Sequence, residues 1–380
     1  MPKLRPLLVF GTRPEAVKMA PLVHECRRRP DVLEPLVCVT GQHREMLRPI
    51  ITWFGLPVDD HLQLMTSDQT LAALTARCVE GVDGILAARK PHCVVAQGDT
   101  TTVMAAAVAA FYRHVPFIHV EAGLRTGNLQ SPWPEEFNRR VASLVTTLHA
   151  APTQRAAQCL RAEGVSSAAV RVTGNTVVDA LLETLDRLRQ DGQLYREKHA
   201  LLGCGRMVLI TGHRRESFGQ GFRNICRAIA TLADRFPDCR FVYPVHLNPH
   251  VQQPVRELLG NHRNIQLLAP ADYPEFVWLM DRATLILTDS GGVQEEAPTL
   301  GKPVLVMRDT TERPEAVEAG AAKLVGTQVD TIVDHASSLL TDSAAYRSCQ
   351  IDRNPYGDGQ AARRIVDWML EQNWEGLPGS

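Results

Sequence analysis

The stretch Leu285-Ile-Leu-Thr-Asp-Ser-Gly-Gly-Val-Gln-Glu-Glu-Ala-Pro298 decides how the chain is read. An apolar, β-branched run ends at Asp289, a Ser-Gly-Gly turn follows, and a helix-prone segment opens with Gln294, Glu295 and Glu296. A strand, a small-residue turn and a helix start leave unpaired backbone N–H groups and the positive end of the helix dipole facing one point. Such a point binds anions, phosphate above all. Gly291 and Gly292 let the backbone approach a ligand closely, and Ser290 adds a hydroxyl. A carboxylate one turn into the helix, Glu296, is badly placed for phosphate and well placed for a sugar diol. The stretch reads as a site for a nucleotide diphosphate whose ribose is held by Glu296. The alternative is an ordinary strand–turn–helix connection with glycines for tight packing.

Short apolar strands alternate with longer helical stretches on both sides of this segment, the pattern of parallel sheets with crossover helices. Strands are expected at 7–10, 36–40, 94–97, 117–120 and 170–172, and again at 207–211, 240–243, 265–267, 285–288 and 304–306. Helices fit 15–28, 71–89, 100–114, 135–148 and 153–163 in the first series, and 222–235, 275–282, 294–300 and 331–340 in the second. A chain of 380 residues exceeds the roughly 250–300 at which one core stops growing, so two domains are expected. The fold class is α/β with two Rossmann-like domains, 1–173 and 174–358, and Gly174-Asn175-Thr176 offers a hinge.

Net charge is −1, which argues against a broad nucleic-acid-binding surface. No apolar run reaches the roughly 18 residues of a membrane helix, and the N-terminus lacks a signal-peptide pattern. Nine scattered cysteines without a CxxC pair read as reduced core residues of a cytoplasmic protein. No metal site is expected: His246-Leu-Asn-Pro-His250 has i,i+4 spacing, but Pro249 disrupts a regular helix there.

Ligands of such sheets bind beyond the carboxyl ends of the strands, and there the polar residues gather. Gly11-Thr-Arg-Pro-Glu-Ala-Val-Lys18, Gly98-Asp-Thr-Thr-Thr102, Glu121-Ala-Gly-Leu-Arg-Thr126 and Gly212-His-Arg-Arg-Glu-Ser217 each follow an expected strand. A cleft lined from both domains is the expectation. Arg313, in Asp309-Thr-Thr-Glu-Arg-Pro-Glu315, has the geometry for a bidentate diphosphate contact, or for a surface ion pair with Glu312 or Glu315. His213, flanked by Arg214 and Arg215, suits a phosphate or leaving group. Phe276 either stacks on a base or belongs to the core. Arg13 and Lys18 reach an anion from the other domain, and no Walker loop is present. Asp99, Glu121 and Glu135 follow three different segments that should converge at one sheet edge. Asp99 also suits a helix N-cap, and Glu135 a helix N-terminus. Several acids beside a sugar nucleotide suit general acid–base work at carbon.

With these motifs in place, the chain closely resembles the bacterial non-hydrolysing UDP-N-acetylglucosamine 2-epimerases. The matching segments are Phe10-Gly-Thr-Arg-Pro-Glu-Ala-Val-Lys-Met-Ala-Pro21, Gly98-Asp-Thr-Thr-Thr102, His119-Val-Glu-Ala-Gly-Leu-Arg-Thr-Gly127, Ser131-Pro-Trp-Pro-Glu-Glu136 and Thr173-Gly-Asn-Thr176. Gly212-His-Arg-Arg-Glu-Ser217, Tyr243-Pro-Val-His246, Asp289-Ser-Gly-Gly-Val-Gln-Glu-Glu-Ala297, Arg308-Asp-Thr-Thr-Glu-Arg-Pro-Glu-Ala316 and Asn354-Pro-Tyr-Gly-Asp-Gly359 complete them. The resemblance implies a GT-B-like pair of Rossmann domains, with a final helix over 359–373 packing back on the first.

It also implies interconversion of UDP-N-acetylglucosamine and UDP-N-acetylmannosamine without a cofactor. UDP is eliminated anti with loss of the C2 proton, giving 2-acetamidoglucal, and then re-adds. Asp99, Glu121 and Glu135 become the acid–base candidates, while Arg13, Lys18, His213 and Arg313 become the cations that retain UDP. A homodimer serving cell-surface polysaccharide synthesis is the family expectation. Gln42, Glu136, Arg214 and His246 match positions implicated in binding a second, activating UDP-N-acetylglucosamine. Two departures stand out. Asp68-Gln69 replaces an arginine–glutamine pair of some members, and Ala271 or Asp272 replaces a glutamine that some carry before Tyr273. The rival readings are a hydrolysing 2-epimerase, a glycosyltransferase sharing the UDP site, and a catalytically silent sugar-nucleotide sensor.

Overall fold

The structure, a computed structural model, describes residues 3–41, 44–65, 69–202 and 205–374. The chain forms two compact units, Met1–Ala180 with Tyr356–Ser380, and Leu181–Pro355. A single helix, Thr176–Asp191, carries the chain from one into the other.

The first unit holds a seven-stranded parallel sheet: β1 (Pro6–Phe10), β2 (Leu36–Val39), β3 (Asp60–His61), β4 (Cys93–Gln97), β5 (Phe117–Val120), β6 (Thr146–Ala151) and β7 (Val170–Val172), in the order β3-β2-β1-β4-β5-β6-β7. The middle strands are buried from end to end and mostly apolar, as a sheet covered by helices on both faces requires. Leu7, Val9, Val94, Ala96 and Phe117 pack there against the alanine-rich face of the helix Thr101–Tyr112. The second unit has six parallel strands: β8 (Met207–Thr211), β9 (Arg240–Pro244), β10 (Ile265–Leu268), β11 (Leu285–Thr288), β12 (Val304–Val306) and β13 (Ala322–Leu324), in the order β10-β9-β8-β11-β12-β13. Its core joins Val208, Ile210, Leu285 and Leu287 to Phe222, Ile225 and Ile229 of the helix Gln220–Arg235.

The helix expected over 135–148 stops at Val145, and Thr146–Ala151 pairs with β5 and β7 instead. Helices at Arg44–Phe54 and Pro249–Leu259 were not expected. In the second of these, Pro249 occupies the first turn, where its missing N–H costs nothing, so it starts a helix and leaves His246 outside it. The final helix, Ala361–Leu370, belongs to the first unit. Asp179 accepts the backbone N–H groups of Ala361 and Ala362 at 3.2 and 2.8 Å, and Arg29 pairs with Asp367 at 2.5 Å. The described cysteines are free. Burial pushes the thiols of Cys26, Cys78 and Cys226 up to about 12, so these three pack as small hydrophobes. No helix among the described residues is long and apolar enough to cross a membrane.

Candidate active site

In the first sheet the strand order reverses between β1 and β4, so the loops leaving these two strands part from one another at their carboxyl ends. Thr12 caps the helix Arg13–Arg27, and Glu15 returns the favour. Glu15 Oε2 accepts the N–H groups of Gly11 and Thr12 at 2.8 and 2.7 Å, and Oε1 accepts the hydroxyl of Thr100 in the neighbouring loop. Only 2 % of Glu15 is exposed. Burial raises its pKa against the opposing pull of these hydrogen bonds. Arg13, half-buried beside this clamp, has no ion-pair or hydrogen-bond partner for its guanidinium among the described residues.

The segment after β4 is held from several sides. His119 Nε2 donates to the carbonyl of Gly98 at 2.7 Å, and Asn138 Nδ2 donates to that of Asp99 at 2.9 Å. Burial takes the His119 pKa down to about 4 and that of His149, its neighbour on β6, down to about 3. Both rings are therefore neutral near pH 7. Thr100, not Asp99, caps the helix Thr101–Tyr112. This leaves the Asp99 carboxylate to pair with Arg139.

At the end of β5, Glu121 sits in the left-handed region with φ 62°, unusual for a residue with a side chain. Lys18 Nζ and Gln97 Nε2 both donate to its Oε2, at 2.5 and 2.7 Å. Glu135 opens the helix Glu135–Val145, half-buried, with no partner for its carboxylate among the described residues. Glu136 behaves differently. It is fully buried, and its two oxygens accept from Thr126 N and Gly127 N at 3.1 and 3.3 Å while pairing with Arg139 and Arg140. Burial raises its pKa, but these N–H groups and guanidiniums outweigh that and hold it below the usual carboxylate value. The first unit thus gathers Arg13, Lys18, Asp99, Glu121 and Glu135 on segments at the carboxyl ends of its central strands.

In the second sheet the reversal falls between β8 and β11. Asp289, fully buried, accepts the N–H groups of His213 and Arg214 at 2.6 and 2.7 Å, and so fixes the course of the chain after β8. His213 stacks on His246 with ring centroids 5.3 Å apart, and its Nδ1 lies 3.4 Å from Asp289. Burial lowers the His213 pKa more than Asp289 raises it. The ring is neutral near pH 7.

The helix after β11 spans Gly291–Glu296 and continues as a 3₁₀ turn, Ala297–Leu300, starting earlier than expected. Ser290 is its N-cap but makes no side-chain capping bond. Glu295 pairs with Arg313, whose guanidinium carbon would lie 4.0 Å from a Cβ on Gly291. The buried Glu295 holds this arginine beside the glycine turn, and Arg313 Nη1 also donates to the Glu312 carbonyl at 3.2 Å. Glu296 Oε1 accepts the Tyr273 hydroxyl at 3.0 Å, and Phe276 lies half-buried one turn further along the helix Tyr273–Arg282. Asp272 caps that helix through Glu275 N at 2.9 Å.

Gln42 and Asp68 lie outside the described residues. Gln69 accepts from Arg77. Arg214 is half-buried, and its Nε has no hydrogen-bond partner among the described residues. Sequence reasoning missed Glu15, Gln97, Thr100, His119, Arg139, Tyr273 and Asp289 as supports. The Thr12-x-x-Glu15 capping box was the one visible signal, and the others are long-range pairings.

A family model described as UDP-N-acetylglucosamine 2-epimerase matches residues 24–370. The UDP-N-acetylglucosamine 2-epimerase of Escherichia coli K12 is 51 % identical over 368 residues, covering 96 % of this chain and 98 % of that protein. The crystal structure of the Neisseria meningitidis UDP-GlcNAc 2-epimerase bound to UDP-GlcNAc is 44 % identical, with a TM-score of 0.91 over 97 % of this chain and 100 % of that one. The Methanocaldococcus jannaschii enzyme in complex with UDP-GlcNAc and UDP is 30 % identical, with a TM-score of 0.81 over 97 % of this chain and 100 % of that one.

Proposed function

The chain belongs to the UDP-N-acetylglucosamine 2-epimerase family and is an isomerase of that nucleotide sugar; we propose that it works by anti elimination and re-addition of UDP, giving UDP-N-acetylmannosamine. C2–H is barely acidic, so the C1–O bond breaks ahead of proton loss and positive charge develops on the ring. A carboxylate takes the C2 proton, the electron pair forms the C1–C2 double bond, and UDP departs with the C1–O electrons. Re-addition of UDP to C1, with a proton delivered to the other face of C2, gives the epimer. No cofactor enters this cycle.

The roles follow the geometry of each unit. Asp99, Glu121 and Glu135 supply the acid–base groups. Lys18 at 2.5 Å and Gln97 at 2.7 Å hold the Glu121 carboxyl group in place beside the developing positive charge. Ser290, Gly291, Gly292 and Arg313 hold the diphosphate, Glu296 the ribose and Phe276 the base. His213 of the second unit and Arg13 of the first, a cation with no partner among the described residues, are the groups assigned to the leaving UDP. For a second UDP-N-acetylglucosamine, Arg214 and His246 remain as contacts. Glu136 acts there through the Thr126–Gly127 backbone that it holds. A cytoplasmic homodimer feeding polysaccharide synthesis completes the reading.

The single observation that carries the proposal is that the segments following the central strands of the first sheet hold the Lys18–Glu121 pair together with Arg13 and Glu135, neither of which has a partner among the described residues. Proton NMR of the protein with UDP-N-acetylglucosamine in D₂O tests it. UDP-N-acetylmannosamine signals with deuterium entering C2 are expected. Free N-acetylmannosamine and UDP would mark the hydrolysing reaction instead, and an unchanged spectrum would defeat the proposal.

A further inference from the structure

We infer that Glu15 is a positioning residue for the reaction, clamping the loop that carries Arg13 to the loop that carries Asp99. This rests on the reading of those two residues as site groups. The two loops leave strands β1 and β4 on either side of the point where the strand order reverses, so no hydrogen-bond ladder continues between them beyond the strand ends. Glu15 supplies a substitute. One carboxylate oxygen takes the N–H groups of Gly11 and Thr12, the two residues directly before Arg13, at 2.8 and 2.7 Å. The other takes the hydroxyl of Thr100, the residue directly after Asp99.

A helix cap alone would need neither Thr100 nor complete burial. Capping-box acids ordinarily sit at the surface, and burying a carboxylate is unfavourable unless its lone pairs are met. Here they are met by two different loops. The far side of the Asp99 segment is fixed separately, through His119 on Gly98 and Asn138 on Asp99. Glu15 is therefore the link that sets Arg13 against Asp99, whereas His119 and Asn138 set Asp99 against its own sheet. Displacements well under the length of a hydrogen bond at reacting groups cost rate strongly. A clamp of this kind should act on turnover more than on substrate affinity.

The test compares Glu15→Ala, Glu15→Gln, Thr100→Val and Thr100→Ser in the full chain by steady-state kinetics, C2 deuterium exchange and thermal melting. Glu15→Ala should lower kcat at least tenfold with KM changed less than threefold. Glu15→Gln should restore kcat to within threefold, since its carbonyl accepts from the loop N–H groups and its amide donates to Thr100. Thr100→Val, which removes the Thr100 arm together with the cap on the helix Thr101–Tyr112, should lower kcat, and Thr100→Ser, which keeps both, should recover it. A lower melting temperature with wild-type kcat in both Glu15→Ala and Thr100→Val would reduce Glu15 to a helix cap and overturn the inference. If Glu15→Ala does not fold, equal kcat in Thr100→Val and Thr100→Ser would overturn it as well. Wild-type protein that exchanges no deuterium at C2 would instead defeat the proposed reaction, an outcome visible before any variant is made.

Discussion

The two strand-order reversals of this molecule have the same topology and differ in how their charges are partnered. At the one between β8 and β11, the acids are buried and committed. Asp289 holds two backbone N–H groups, Glu295 holds Arg313, and Glu296 accepts from Tyr273. At the one between β1 and β4, Glu15 and Glu136 are buried in the same way, but other charges are left unspent. Arg13 and Glu135 have no partner among the described residues, and Asp99, though paired with Arg139, keeps 27 % of its side chain exposed. The first arrangement suits holding a ligand whose charge is constant, because each of these buried acids already has a partner before the ligand arrives. The second suits a ligand whose charge changes during reaction. Preorganised groups aimed at developing charge are worth most where they need not first be withdrawn from other partners.

The sharpest way to break this contrast is Glu121→Gln. Loss of the carboxylate should lower kcat by about 10²–10⁴, the range for a positioned acid–base group. UDP affinity, measured by calorimetry, should change less than threefold. A large loss of UDP binding with little effect on turnover would invert the two assignments.

Acid provides the next largest effect, on stability. His119 and His149 bind protons near pH 6.5 in the unfolded chain but only near 4 and 3 when folded. In that window the unfolded state holds more protons, so the stability present above pH 6.5 is progressively lost as pH falls, until the folded rings themselves charge. Denaturant melts should show the first unit weakening by roughly 2–4 kcal/mol between pH 7 and 5. In His149→Phe that slope should be shallower. Identical slopes would place the proton uptake elsewhere.

The smallest effect is expected from Arg313→Ala. It removes a charge-assisted contact worth about 1.5–3 kcal/mol. KM for the nucleotide sugar should rise about tenfold to a hundredfold with kcat little changed. A fall in kcat with KM unchanged would show that the second reversal takes part in the chemistry as well as in holding the ligand.

How far the sequence reaches follows the same division. Apolar runs bounded by polar or glycine residues announce β1, β4, β5, β8 and β11, because their buried residues admit little else. Thr146–Ala151 escapes notice because Thr-Thr-Leu-His-Ala-Ala continues the preceding helical pattern, and its strand state comes from pairing with β5 and β7. Residues at strand ends, such as Asp99, Glu121 and His213, are legible for the same reason as the strands. Their supports are less so. Gln97 on Glu121, Arg139 on Asp99 and Arg313 on Glu295 join segments 24, 40 and 18 residues apart, distances that no local pattern encodes. The ion pairs weighed for Arg313, with Glu312 or Glu315, are the nearest in sequence, whereas its pairing with Glu295 arises because the position after the glycine turn brings that residue alongside.

The return of the chain at Tyr356 has a bearing on biosynthesis. The Ala361–Leu370 helix supplies Ile365, Val366, Trp368 and Met369 as buried residues of the first unit and gives Asp179 the two N–H groups it accepts. At translation rates of about 5–20 residues per second, the ribosome needs roughly 10–40 s to pass from residue 180 to residue 370. For that interval the earlier-made unit waits without its last helix, its apolar seat open, and the later-made one is complete, at Pro355, before that helix has been made. The order of completion is the reverse of the order of synthesis, and the nascent first unit is the part of the molecule with most need of a chaperone.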